Sequence, residues 1–131
     1  MTHLLDTDVC IDVLRQRPGV VTRLREIPPN GCAISMITVC ELYCGLAKAQ
    51  DPEREQQKIQ RFVSAIIELP FERAAAEASS MIRASLERQR MVIGPYDLLI
   101  AGQAMALGLT LVSTNIREFA RVEGLKLESW A

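Results

Sequence analysis

The chain has 131 residues, a formal net charge of −1, and 49% hydrophobic against 24% charged residues. This is the size and balance of one globular domain, spanning residues 1–131, and it excludes a disordered chain. No apolar run approaches the ~20 residues of a membrane span, and Met1-Thr2-His3-Leu4-Leu5-Asp6 has no basic region followed by an apolar one, so a cytoplasmic protein without a signal peptide is expected.

Thr2 to Leu5 reads as a short strand leading to Asp6, and Val9 to Leu14 as a first helix that Pro18-Gly19 breaks. Val20 to Ile27 is a second short helix, stopped by Pro28-Pro29-Asn30-Gly31. Cys32-Ala33-Ile34 is a buried strand, and Ser35 is placed to cap a helix from Met36 to Ala49. Beyond a break at Pro52, Glu53 to Ile67 is amphipathic, with Ile59, Phe62, Val63 and Ile66 at helical spacing. Ile67-Glu68-Leu69 is a strand ended by Pro70. Glu72 to Gln89 is a helix with Ala75, Ala78, Ile82 and Leu86 on one stripe. After Gly94-Pro95, Tyr96 to Leu107 is a helix of small and apolar residues ended by Gly108. Thr110-Leu111-Val112 is a strand, Ile116 to Arg121 a short helix, and Leu125-Lys126-Leu127 a closing strand. Short strands alternating with helices predict an α/β layer fold around a central, mostly parallel β-sheet flanked by helices.

Cys10, Cys32, Cys40 and Cys44 lie in apolar runs and read as buried thiols; a zinc site would need more ligands than the single histidine, His3, supplies. Twelve of the 15 basic residues are arginine, the side chain that grips phosphate in two places, though most are expected on solvated helix faces.

Three carboxylates sit where a solvated charge would not. Asp6 follows an apolar strand, and ligand sites in parallel sheets collect beyond such strand ends. Glu41 lies in Met36-Ile37-Thr38-Val39-Cys40-Glu41-Leu42-Tyr43-Cys44-Gly45-Leu46, a helix apolar nearly all round and therefore expected to be buried. Asp97 occupies the first turn of Gly94-Pro95-Tyr96-Asp97-Leu98-Leu99-Ile100-Ala101. Singly, each has a structural explanation: Asp6 as a helix cap, Asp97 at a positive helix end, Glu41 paired with a buried arginine. If the three converge, their repulsion calls for a hard divalent cation with oxygen ligands.

These segments, together with Leu4-Leu5-Asp6-Thr7-Asp8-Val9, Leu111-Val112-Ser113-Thr114-Asn115-Ile116-Arg117-Glu118-Phe119 and the tail Arg121-Val122-Glu123-Gly124-Leu125-Lys126-Leu127-Glu128-Ser129-Trp130, resemble in order and spacing the VapC toxins of the PIN-domain ribonuclease family over essentially the whole chain. The resemblance implies a PIN-like fold of three layers. It implies a toxin of a type II toxin–antitoxin system: an endoribonuclease dependent on Mg2+ (or Mn2+) that cuts structured RNA such as tRNA or rRNA with metal-activated water. It further implies a homodimer held inactive by a small VapB-like antitoxin, whose peptide enters the acidic pocket. The family's acidic positions fall on Asp6, Glu41 and Asp97, with Asp6 and Asp97 holding the metal and Glu41 completing the pocket. Thr114 and Asn115 would orient water or substrate. Thr7, Ser35 and Thr38 are expected to serve as caps and turns.

Two positions depart from the family pattern. Asp8 stands where asparagine is usual, and the neutral Asn115 stands near a fourth position that is often acidic. Asp8 is the candidate to restore that charge; Glu118 is expected at the surface. Other readings stay open at this stage. A haloacid-dehalogenase-type phosphatase would use Asp6 as nucleophile and Asp8 as acid, but would also want a well-placed lysine and a later acidic pair. A receiver-like signalling domain would need a different acidic pattern. An inactive PIN-like scaffold would only bind a partner.

Overall fold

Side chains alternate between the two faces of a strand, so a short apolar strand buried on both sides must be covered by helices on both sides. The chain has five strands, of which the three central ones meet this condition and the two edge strands are half-buried: β1 (His3–Leu5), β2 (Cys32–Ser35), β3 (Ile67–Leu69), β4 (Thr110–Ser113) and β5 (Leu127–Ser129). In the computed structural model, which describes all 131 residues, they form one sheet in the order β3-β2-β1-β4-β5, with every pair parallel. Six helices cover it: α1 (Thr7–Leu14), α2 (Pro18–Arg25), α3 (Met36–Cys44), α4 (Pro52–Ser64), α5 (Arg73–Arg88) and α6 (Pro95–Leu107). None is long and apolar enough to cross a membrane.

The core divides along the strand alternation. Leu4, Ala33 and Leu111 face Ile82 and Leu86 of α5 and Ile100, Ala101 and Ala104 of α6. Leu5, Ile34 and Val112 face Val9 and Cys10 of α1, Val20 of α2, Leu42 of α3 and Ile59 of α4. Each fully buried Leu, Ile or Val adds about 1.5–3 kcal/mol over an exposed one. Helices α5 and α6 cross closely because Gly102 has no side chain: a Cβ there would collide with Ser79. Gln103, fully buried, ties α6 to the end of β3 by donating to the carbonyls of Leu69 (3.4 Å) and Pro70 (3.1 Å).

Several boundaries differ from the sequence expectation. Pro18, Pro52 and Pro95 start helices rather than interrupt them, since a first-turn proline forfeits only an N–H that has no helical partner. Helix α3 ends at Cys44, and Gly45–Lys48 continues as a 3-10 turn. On α5 it is Ser79, with Ala75, Ile82 and Leu86, that is buried, while Ala78 is half-buried. Between Ile116 and Arg121 only Phe119–Arg121 is helical, as a 3-10 turn. The last strand begins at Leu127 rather than Leu125, because Leu125 still closes a turn onto Val122 and Gly124 takes a φ of +83°. The thiols split: Cys10 and Cys32 are buried, but Cys40 and Cys44 are exposed. With Met36 they form an open face, so α3 buries only Thr38 and Leu42 rather than its whole circumference.

Candidate active site

Strand order reverses at β1. The chain lays β2 and β3 on one side of it, then returns to place β4 on the other. In open parallel sheets, the crevice beyond the strand ends at such a reversal is the usual ligand site. The register Leu5↔Val112 sets Asp6 beside Ser113 there, and the Asp6 N–H donates to the Val112 carbonyl at 2.9 Å.

Asp6 is 3% exposed. It caps α1, its Oδ1 accepting from the Val9 N–H at 3.0 Å. Burial nevertheless raises its acid to about 6, against the opposing hydrogen bonds from Ser113 and Val9, and Asp8 adds repulsion. Ser113 Oγ also accepts from the Asn115 N–H at 3.0 Å, so one hydroxyl links Asp6 to the loop after β4. Asp97 lies in the first turn of α6, whose N-cap, Gly94, provides no side-chain cap. Its acid is raised to about 7, first by burial, then by a shared hydrogen bond and repulsion with Glu118, then by Asp6 and Asp8. Asp97 thus lies within electrostatic reach of Asp6, Asp8 and Glu118, and Asp6 within reach of Asp8.

Glu41 joins from α3. It is half-buried, and its Oε1 accepts from the Thr7 hydroxyl at 2.7 Å; Thr7 and Thr38 are 3.1 Å apart. Thr7, the residue after Asp6, couples Glu41 to the pocket, a larger role than the cap or turn expected of it. No arginine or lysine lies within ion-pair distance of Asp6, Asp8, Glu41, Asp97 or Glu118. The buried-arginine explanation of Glu41 therefore fails. Asp8 is exposed at the pocket rim, Thr114 is half-buried, and Asn115 is exposed with its side chain directed to no protein partner. His3 lies at the other end of β1, opposite Thr110, with its Nε2 3.6 Å from Glu128.

Glu118 corrects the sequence reading. It is half-buried and hydrogen-bonded to Asp97 rather than a plain surface residue. The turn that starts at Phe119, a fully packed core residue, carries Glu118 back over α6. The usable sequence signal was Phe119 itself, an apolar anchor directly after an acidic residue. Ser113, the last residue of an apolar strand, was also missed.

The donor set is all oxygen: carboxylates with hydroxyls from Thr7 and Ser113. No three of the acidic, histidine or cysteine side chains close into a ready-made cage. Uncompensated carboxylates around an open pocket fit a hard divalent ion that keeps much of its own water.

The PIN domain profile matches residues 3–125. The chain belongs to the PIN-domain family, among the VapC ribonucleases. It is 41% identical over 131 residues to the tRNA(fMet)-specific endonuclease VapC of Shigella flexneri, covering 100% of this chain and 99% of that protein. Of solved structures, it is similar to a chain of DNA-bound VapBC from Salmonella typhimurium (TM-score 0.95, 35% identity, 100% and 99% coverage). It is also similar to a chain of promoter-DNA-bound VapBC2 from Rickettsia felis (TM-score 0.94, 33% identity, 100% of both chains). The PIN-like fold and ribonuclease class inferred from the motifs agree with these likenesses, and the phosphatase and receiver readings fall. PIN-domain ribonucleases generally use a divalent metal, consistent with an oxygen-only pocket in this VapC chain.

Proposed function

We propose that this protein is the toxin of a toxin–antitoxin pair, an endoribonuclease that hydrolyses structured RNA, with tRNA as the leading substrate and Mg2+ or Mn2+ as cofactor. The observation that carries the reading is the group of carboxylates at the β1/β4 reversal, deprived of any protein cation. The name of the Shigella relative supplies tRNA as the substrate to try first. The VapBC complexes suggest the kind of partner, a VapB-like antitoxin, and the cytoplasm is the location this reading implies.

Asp6 and Asp97 would hold the ion, with Glu118 steadying Asp97 and Glu41 completing the pocket. When bound, a divalent ion supplies charge at the phosphate oxygens and lowers the pKa of water. The protein's part is orientation. Asp6 is fixed by α1 and Ser113, Asp97 by α6 and its Gln103 anchor, and Glu41 by Thr7. Ser113 holds the turn that presents Thr114 and Asn115 to substrate. Asp8 at the rim adds the negative charge that Asn115 does not provide.

The test is brief expression followed by sequencing of cleaved RNA ends, with and without the neighbouring antitoxin. Discrete cuts in tRNA or rRNA, suppressed by the antitoxin, are expected. Purified free toxin should run as a homodimer. Expression that is harmless and leaves RNA intact would contradict the assignment.

A further inference from the structure

A pocket crowded with carboxylates repels a polyanion, so RNA must be gripped somewhere close by. A groove of about 600 Å³ opens between α1, α3, the Gly45–Lys48 turn and α4, and Glu41 lies in its wall. Four cations line it: Arg15, Lys48, Arg54 and Lys58. Its carboxylates are Glu41, Asp51 and Glu55.

Hydrogen-bond accounting separates the two signs. Each carboxylate is already engaged within the protein. Asp51 Oδ1 caps α4 by accepting from the Arg54 N–H at 3.2 Å. Glu55 takes Lys58 Nζ at 3.1 Å, and Glu41 takes the Thr7 hydroxyl at 2.7 Å. The side chains of Arg15, Lys48 and Arg54 have no carboxylate within 4.0 Å and no hydrogen bond to protein, and all three residues are exposed. The groove therefore carries a formal charge of +1, four cations against three carboxylates, and three of its cations have no ion-pair partner. Helix α1, eight residues and so about 12 Å long, connects the two regions, with Thr7 at the pocket and Arg15 at the far end.

We infer that this groove is the RNA track: Arg15, Lys48 and Arg54 hold backbone phosphates beside the scissile bond and so place it at the carboxylate pocket. This rests on the ribonuclease reading and deepens it. RNA is the occupant that carries, in one molecule, repeated phosphates for the groove and a phosphodiester for the pocket. Phosphate contacts of this kind position a substrate without reading its sequence.

The experiment uses the free toxin and an initiator tRNA transcript. Arg15→Ala, Lys48→Ala, Arg54→Ala and the triple variant are compared with Arg83→Ala, which lies on α5 beside Glu87. RNA affinity is measured in EDTA, where cleavage is off, and KM and kcat are measured in Mg2+. Each groove variant should raise Kd and KM several-fold with kcat within twofold, and Arg83→Ala should change neither. The dependence of log Kd on log salt should flatten by about 0.7 per lost contact to unpaired RNA. Unchanged Kd and salt slope in the triple variant would overturn the inference, as would a loss confined to antitoxin binding. If the unmodified protein binds RNA through the groove but never cleaves it, the ribonuclease reading falls and the track stands.

Discussion

Two charged clusters lie on the same sheet and have been treated in opposite ways. On the face covered by α1 and α2, Glu128 accepts from the Trp130 indole N–H at 2.6 Å, with Arg23 Nη2 at 3.7 Å and His3 Nε2 at 3.6 Å. Arg23 also stands 6.0 Å from the Trp130 ring centre. Every charge there has a partner, the ordinary way to keep a half-buried carboxylate. Beyond the ends of β1 and β4, Asp6, Asp8, Asp97 and Glu118 have none of opposite sign. The first cluster is complete as folded. The second has no charge of opposite sign within the protein, which is the arrangement the proposed divalent ion would complete.

The contrast can be broken by substitution. Asp97→Asn, nearly isosteric, should cut RNA cleavage by on the order of 10³-fold while leaving circular dichroism unchanged, and Glu41→Gln should act similarly. Because each removes one of several repelling charges, melting in EDTA should rise or stay level. Full metal-responsive activity in Asp97→Asn would end the site assignment. Glu118→Gln should have a smaller effect, about 10–100-fold, expected of a residue that orients a metal ligand. Wild-type cleavage at limiting Mg2+ would remove Glu118 from the site.

Glu128→Ala should do the reverse. It strips the buried Trp130 N–H of its acceptor, costing about 1–3 kcal/mol in urea melts, and should leave cleavage unchanged. Lost activity at unchanged stability would dissolve the distinction between the clusters.

The effect of pH sharpens it further. The acids of Asp6 and Asp97 stand at about 6 and 7, both above the ordinary 3.8. Between pH 4 and 7 the native state therefore keeps protons that the unfolded chain has released. Stability in EDTA should fall as pH rises through that window, Asp6 alone accounting for at most about 3 kcal/mol. Asp97→Asn should flatten the slope, and Mg2+ at neutral pH should recover the loss. A melting temperature unaffected by Mg2+ at pH 7.5 would count against an ion in the pocket.

The fold was legible in the sequence wherever an element buried a regular apolar pattern. Strand β3 was placed residue for residue, and Ser35 does cap α3, accepting from the Ile37 N–H at 3.0 Å. Asp6, Glu41 and Asp97 stood out because each interrupts apolar sequence. What sequence could not convey was contact between distant segments. Apolar composition made α3 look buried all round, yet composition does not tell a core face from the open one bearing Met36, Cys40 and Cys44. Glu118 looked ordinary because its neighbour Asp97 lies 21 positions earlier. Thr7 and Ser113 likewise gain their roles only when the parallel register sets strand ends side by side.

The central claim is that the carboxylate cluster cuts RNA through a bound divalent ion. Cleavage by the RNA's own 2′-hydroxyl generally relies on a side-chain base and acid, often paired histidines. The single histidine here is at the far end of β1, engaged with Thr2 at 2.6 Å and near Glu128. End-group analysis of a synthetic RNA cut by the purified toxin is the direct test. The account predicts 5′-phosphate and 3′-hydroxyl ends that form only with Mg2+ or Mn2+ and stop in EDTA. Cyclic 2′,3′-phosphate ends that persist in EDTA would contradict it.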